Sequence, residues 1–268
     1  MAIRVYNNLR VGEVPPTPNK ADYDSPYLDS STAQLIEIAE QYGHPISYAQ
    51  ESNGRLIQNI LPIKNTENKQ ISTSSIIDLD LHTETAFHPY KPDYVLLFCL
   101  RGDPAATTTY AHVLDIIAQL DEQTLEVLQQ PFFKTSLDLS FRMNGEHDVE
   151  FMLPILKKYT ISETIRQARI SPITFWTMTY DKALMVGTNE IARNALITFQ
   201  KAVEKSIKEV TLKTGDLLVL NNEYIVHGRK HFKPRYDGTD RWVRRVMVRK
   251  QLPPPSEISG HVISTKFI

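Results

Sequence analysis

His82-Thr83-Glu84 sets an imidazole and a carboxylate two residues apart. In an extended chain, side chains at i and i+2 point to the same side, so the pair can grip one ion. A third ligand must come from elsewhere. His227, in Val226-His227-Gly228-Arg229, is the best candidate. It follows a predicted strand, Leu217–Leu220, and precedes a glycine turn. Two histidines and one carboxylate on one face of an octahedron leave three positions open. That arrangement suits iron(II) with a bidentate organic acid and O2. Alone, His-x-Glu is a weak signal, because two solvated polar residues near a strand end look the same. His44, His112, His147, His231 and His261 lie in polar or loop-like surroundings and are poor ligand candidates. His88, in Phe87-His88-Pro89-Tyr90, reads as structural, with pocket lining as the alternative.

Downstream residues add to this pattern. Arg241 lies 14 residues after His227, on the next predicted strand. Its guanidinium can hold a carboxylate by two parallel hydrogen bonds, a geometry lysine does not reproduce. A dicarboxylic 2-oxoacid would then be held at both ends, by the metal and by Arg241. Arg245 has the same strand parity. Among Trp242, Val243, Val246 and Val248, both arginines point to an interior role rather than a solvated face. Thr107-Thr108-Thr109 precedes a helical pattern. One of its hydroxyls can meet the far carboxylate, or the run is a cap and a β-favouring stretch.

These groups need elements to carry them. Ile76–Leu81 reads as a strand that delivers His82, Ile57–Ile63 as a short strand, and Tyr94–Leu100 as a buried apolar strand. Arg241–Val248 reads as another strand. Ser31-Thr32 opens a helical pattern that Gly43 stops. Val113–Leu128 has the spacing of one helix ended by Pro131, and Glu190–Ile207 that of an amphipathic helix capped by Asn189. Pro15, Pro16, Pro18 and Pro26 make residues 1–30 an irregular arm. Part of 131–175 is long enough to include a lid. With no strand–helix alternation around a Gly-rich phosphate loop, a dinucleotide fold is disfavoured. An α+β, mainly β molecule follows, an antiparallel barrel or jelly roll with flanking helices.

The bulk numbers agree. Apolar residues make 41% of the 268 and charged residues 23%, with a net charge of -1. A core of useful size is available, and neither nucleic acid nor an anionic membrane is implied as a partner. Cys99 is the single cysteine and reads as a buried thiol. The N-terminus lacks a signal-peptide layout and no apolar run reaches membrane-spanning length, so a cytoplasmic protein is expected.

Two blocks carry a family resemblance. Leu81-His-Thr-Glu-Thr-Ala-Phe-His-Pro-Tyr-Lys-Pro-Asp-Tyr-Val-Leu-Leu-Phe-Cys-Leu-Arg-Gly-Asp103 resembles the metal-binding segment of the clavaminate-synthase-like branch of the TauD/TfdA iron(II)/2-oxoglutarate dioxygenases. Gly215-Asp-Leu-Leu-Val-Leu-Asn-Asn222, His227-Gly-Arg229 and Asp237-Gly-Thr-Asp-Arg-Trp-Val-Arg-Arg245 resemble its C-terminal segment. The resemblance implies a double-stranded β-helix core in a single domain over residues 1–268. It implies Fe(II) on His82, Glu84 and His227, and 2-oxoglutarate and O2 as co-substrates. Arg241 and Thr109, with Thr108 as fallback, then bind 2-oxoglutarate. Arg245 would meet the substrate carboxylate, and Asp181, in Tyr180-Asp181-Lys-Ala-Leu-Met-Val-Gly-Thr188, a cationic group. A turn role for Asp181 is the alternative. Glu84 would also accept from the substrate amine. Arginine hydroxylases of the branch carry a second acid two positions before Asp181, where this chain has Thr179. Halogenases of the superfamily lack the metal carboxylate that Glu84 supplies. Hydroxylation of a basic or polar amino-acid-like small molecule is therefore expected. Desaturation, cyclisation or a carrier-tethered substrate are variants on the same iron. A zinc hydrolase and a non-catalytic ligand-binding barrel are the rivals from other classes.

Overall fold

The computed structural model describes residues 1–24, 28–142, 149–161 and 173–267. Pro26, His147 and two stretches of the span read as a lid, 143–148 and 162–172, lie outside the described residues. The chain begins with strand β1 (Ile3–Tyr6), helix α1 (Asp29–Glu40), and strands β2 (His44–Tyr48) and β3 (Gln58–Ile60). Strands β4 (Leu79–His82), β5 (Tyr94–Arg101) and β6 (Thr108–His112) follow, then helices α2 (Val113–Ile117) and α3 (Glu122–Leu128). Next come β7 (Phe133–Ser136), α4 (Leu139–Arg142), β8 (Glu150–Leu153), β9 (Leu156–Ile161), β10 (Ile173–Met178) and β11 (Val186–Gly187). Helix α5 (Glu190–Lys205) leads into β12 (Lys208–Val210), β13 (Leu217–Asn221), β14 (Ile225–Arg229) and β15 (Trp242–Arg249). Strands β16 (Ile258–Ser259) and β17 (Val262–Ile263) close the described chain.

The molecule is mainly β, with helices outside the sheets. One sheet runs β1-β13-β5-β15-β2-β17-β16, with β3 also on β15; a second runs β12-β6-β14-β4. Strand β5 shows how the sequence builds this. Its unbroken apolar run is buried on both faces, as a central strand must be. Val95, Leu97 and Cys99 join Leu218, Leu220, Val243 and Ile225 in a cluster that also takes in Tyr110 and Val210 of the second sheet. Leu96, Phe98 and Leu100 point the other way and pack with Leu35, Ile38 and Ala39 of α1. Helices α2, α3 and α5 cover the outer face of the second sheet through Ile116, Leu128, Ala195, Leu196 and Phe199, against Ala111 and Val226.

Two expectations are corrected. The N-terminal arm is not wholly irregular, because Ile3–Tyr6 pairs antiparallel with β13 and extends the larger sheet. The span Val113–Leu128 is two helices rather than one. Asp121 starts the second by accepting a hydrogen bond from the Thr124 amide at 2.6 Å, and an N-cap of this kind favours a fresh helix start. Helix α5 keeps its expected cap, with the Asn189 side chain accepting from the Ala192 amide at 2.8 Å.

Candidate metal centre

Strands β4 and β14 run antiparallel with His82 directly opposite His227. Residues paired across strands share a face, and here the ring centroids stand 4.6 Å apart. Glu84 follows just past β4, where the backbone is clamped. Its amide donates to Asn222 Oδ1 at 2.8 Å, and Asn222 Nδ2 donates to the carbonyls of Glu84 at 3.1 Å and Pro92 at 2.9 Å. Thr83 Oγ1 accepts from the Tyr180 amide at 3.0 Å. Thr85 then adopts φ +48°, a left-handed conformation that a β-branched residue rarely takes. Such strain costs on the order of 1–3 kcal/mol and is characteristic of functional sites.

One ligand atom from each of His82, Glu84 and His227 lies within 4.8 Å of the other two. The donor set fits a divalent metal. His82 Nδ1 lies 2.8 Å from the Asp80 carbonyl. Nδ1–H donating there leaves the Nε2 lone pair for a metal, the usual orienting contact of a ligand histidine. Glu84 Oε2 is buried with no hydrogen-bond partner among the described residues, and it sits 3.6 Å from His227 Nε2. A buried carboxylate oxygen left this way is costly unless a cation meets it. Burial alone would raise the Glu84 pKa, but Arg245 first, then His227 and His82, outweigh it and hold the carboxyl well below its usual range. Burial lowers His227, which favours the neutral imidazole that ligates metals.

The three residues open onto a cavity of about 380 Å³, within the size range of small-molecule sites. Arg241 lines it from the larger sheet. The residue is 5% exposed. Among the described residues no hydrogen bond or ion pair engages its guanidinium; only the fields of Cys99 and Asp103 offset the burial that disfavours its charge. Arg229 lines the same end, buried too, and donates to Ser74 Oγ at 2.9 Å and the Ser72 carbonyl at 3.3 Å.

Thr108 and Thr109 separate. Thr108 lines the metal cavity, whereas Thr109 faces a different depression beside Tyr180 and Gln200. The preference for Thr109 as the cavity threonine is therefore corrected. Strand alternation sends neighbours to opposite faces, and Thr108 pairs with Arg229 while Tyr110 pairs with His227.

Asp181 also reaches the cavity. Its Oδ1 accepts from the amides of Ala183 at 2.8 Å and Leu184 at 2.9 Å, so the turn role and a cavity position coexist. Burial raises its pKa against the field of His82. Asp138, absent from the residues singled out above, stands at the same wall just before α4. Burial, then repulsion from Asp181, Glu84 and Glu51, raises it well above the usual carboxylate range. Asp138 and Asp181 thus bring two carboxyl groups from separate segments to the same cavity.

Arg245 lines the cavity, but its guanidinium is already engaged. Nη1 donates to Glu84 Oε1 at 2.6 Å, Nη2 to Glu51 Oε1 at 2.5 Å, and Nε to Gln58 Oε1 at 3.0 Å. Those three side chains hold the guanidinium that the sequence reading sets against a substrate carboxylate. Glu51 and Asp138 went unread because no short motif marks them, and Asn222 and Arg229, though inside the resembling blocks, were given no role, because what each does depends on long-range contact.

Comparison with known proteins adds an independent line. The profile described as "Taurine catabolism dioxygenase TauD, TfdA family" matches residues 26–247. The chain is 31% identical over 226 residues to enduracididine beta-hydroxylase of Streptomyces hygroscopicus, covering 80% of this chain and 66% of that protein. It is 31% identical over 246 residues to L-lysine 3-hydroxylase of Catenulispora acidiphila, covering 89% of this chain and 64% of that one. The chain thus spans a little under two thirds of these relatives. A solved structure of asparagine oxygenase in complex with Fe(II), 2S,3S-3-hydroxyasparagine and succinate superposes with a TM-score of 0.83 at 30% identity, covering 98% of this chain and 80% of that one.

Proposed function

Because the chain belongs to the taurine catabolism dioxygenase TauD, TfdA family, we propose that it is a mononuclear non-haem iron(II) oxygenase. In this reading it consumes 2-oxoglutarate and O2 to hydroxylate an amino-acid-like small molecule. The observation that carries the reading is Arg241, a buried guanidinium with no bonded partner among the described residues, facing the same cavity as the His82–Glu84–His227 cluster. A buried cation left so requires an anion, and a dicarboxylic 2-oxoacid held by a metal in the same cavity supplies one. A zinc hydrolase has no use for Arg241.

His82, Glu84 and His227 would hold the iron. Bound there, iron(II) with 2-oxoglutarate and O2 supplies the oxidising power to break an unactivated C–H bond, releasing succinate and CO2. Arg241 orients the far carboxylate of 2-oxoglutarate, and Thr108 offers it a hydroxyl from the facing sheet. The Arg229 charge, close enough to repel Arg241, adds to the positive potential at that end. Leu79, Ile60 and Leu97 wall the cavity with apolar surface and limit water around the reacting centre. Asp181 and Asp138 make the other end acidic, suited to a basic or polar side chain. The names of the relatives that act on enduracididine and lysine agree with such a substrate. The two facing sheets are read as a double-stranded β-helix, and residues 1–268 as one domain.

Fe(II) and 2-oxoglutarate added without oxygen should give a weak visible charge-transfer band. Arg241→Ala should raise the 2-oxoglutarate concentration needed for that band by about thirtyfold or more while sparing iron binding. No band in the parent protein, or unchanged 2-oxoglutarate affinity in the variant, would overturn the reading.

A further inference from the structure

Resting on that oxygenase reading, we propose that Phe267 is a positioning residue for the substrate: braced against Phe141, it fixes the α4 wall of the cavity and so sets substrate affinity without touching the substrate. Helix α4 faces two ways. Asp138 just before it and Leu139, Ser140 and Arg142 within it line the cavity, while Phe141 among them is fully buried in an aromatic cluster. A helix of four residues is far too short to hold its own shape or direction. Arg142 Nε donates to the Leu137 carbonyl at 2.8 Å and Nη2 to Ser136 Oγ at 2.7 Å. These bonds to near neighbours tighten the turn without orienting it on the molecule. Long-range packing of Phe141 supplies the orientation.

Phe267 stands across that cluster. Its ring centroid lies 5.3 Å from His88, 5.6 Å from Phe87 and Phe151, and 6.5 Å from Phe141, edge to face in every case, an arrangement that aromatic pairs favour. Phe87 in turn packs edge to face on Phe141 at 4.9 Å. Phe267 therefore braces Phe141 both directly and through Phe87. The segment that carries Phe267 is pinned in place. Strand β17 lies parallel on β2, and the Ala49 amide donates to the Ile263 carbonyl at 2.8 Å. Gln50 Nε2 donates to the Thr265 carbonyl at 2.8 Å, and Thr265 Oγ1 to Glu257 Oε2 at 2.7 Å. Removing the Phe267 ring would leave a gap beside Phe141 into which α4 can turn, carrying Asp138 and Arg142 with it. The iron and 2-oxoglutarate end is held by other means. Asn222 clamps the backbone at Glu84, and Arg241 and Thr108 come from the two sheets. Loss of Phe267 should be felt at the substrate end alone.

The test compares the parent with Phe267→Ala and Phe267→Tyr, each loaded with Fe(II) and 2-oxoglutarate without oxygen. The first readout is hydrogen exchange at the Phe141 and Arg142 amides, which donate to the Asp138 carbonyl at 3.0 and 3.2 Å. Phe267→Ala should speed both by about tenfold or more, with β5 amides and the 2-oxoglutarate titration of the charge-transfer band unchanged. Phe267→Tyr, which keeps the ring, should match the parent. The second readout, with oxygen, is succinate formation coupled to L-lysine, L-arginine, L-ornithine or L-asparagine. For each amino acid the parent turns over, KM should rise about tenfold in Phe267→Ala while the KM for 2-oxoglutarate stays put. Parent-like exchange at Phe141 and Arg142, or equal speeding in β5, overturns the proposal. So does an amino-acid KM that does not move. Where the parent turns over none of the four, the exchange result decides. Should Phe267→Ala not fold, Phe267→Leu takes its place with the same expected directions. Failure of the iron and 2-oxoglutarate reading is seen separately, in the missing charge-transfer band of the parent.

Discussion

Two adjacent threonines separate what a side chain is from where it points. Thr108 and Thr109 are chemically the same and both buried, at 2% and 8% exposure, yet only Thr108 faces the metal cavity. Thr108→Val, nearly isosteric, should weaken 2-oxoglutarate binding by about tenfold, the worth of one hydrogen bond to a charged group. Thr109→Val should leave it unchanged. Titrating 2-oxoglutarate into each iron-loaded variant checks both, and equal effects would mean the hydroxyl plays no part. The threonine run was legible in sequence, but its parity was not. Parity depends on which face of β6 meets the facing sheet, and the partner strands decide that.

At the scale of elements, the β4–β14 ladder brings the two histidines together. Gly228 makes that ladder possible. A Cβ there would lie inside van der Waals contact with the Leu79 carbonyl and within 3.2 Å of the Asp80 carbonyl carbon. Gly228→Ala should push β14 off β4 at the register shift between His227 and Arg229 and separate His227 from His82. Iron affinity should fall at least tenfold, while the helical far-ultraviolet signal from α5 persists. An alanine variant that binds iron normally would show that the strands absorb the added methyl. The strands carrying His82 and His227 were readable from short apolar runs. The break between α2 and α3 was not, because the apolar stripe runs through it and only the Asp121 cap marks the restart.

Across the whole molecule, residues far apart in the chain enclose His88. Its ring lies 4.6 Å from that of Tyr48 in β2 and 5.3 Å from Phe267 near the C-terminus, with Phe141 of α4 nearby. Burial first, then Arg249 and Lys91, pushes its imidazole down to about 3. In the unfolded chain it would titrate near ~6.5. Between those values the unfolded state binds more protons, so stability falls as pH drops from about 6.5 toward 3. The loss is at most about 1.4 kcal/mol per pH unit. His88→Asn, which keeps an acceptor for the Tyr90 amide, should flatten this part of the Tm-versus-pH curve. A parent protein whose Tm follows pH no more steeply than the variant's would remove His88 from acid sensitivity. Among the described residues, no helix is long and apolar enough to cross a membrane.

What the sequence determined by itself is local. It contains the His82-x-Glu84 spacing, the apolar run of β5, the Asn189 cap, and an arginine pair of like parity at Arg241 and Arg245, because each depends on neighbours a few positions away. Only the tertiary structure decided the state of those groups. It left Arg241 without a bonded partner among the described residues while tying Arg245 to Glu51, 194 positions distant, and Glu84, 161 positions distant. It also set Asp138 beside Asp181. Charge compensation in a buried cavity is fixed by which strands and turns face each other, and no local pattern in the chain encodes that pairing.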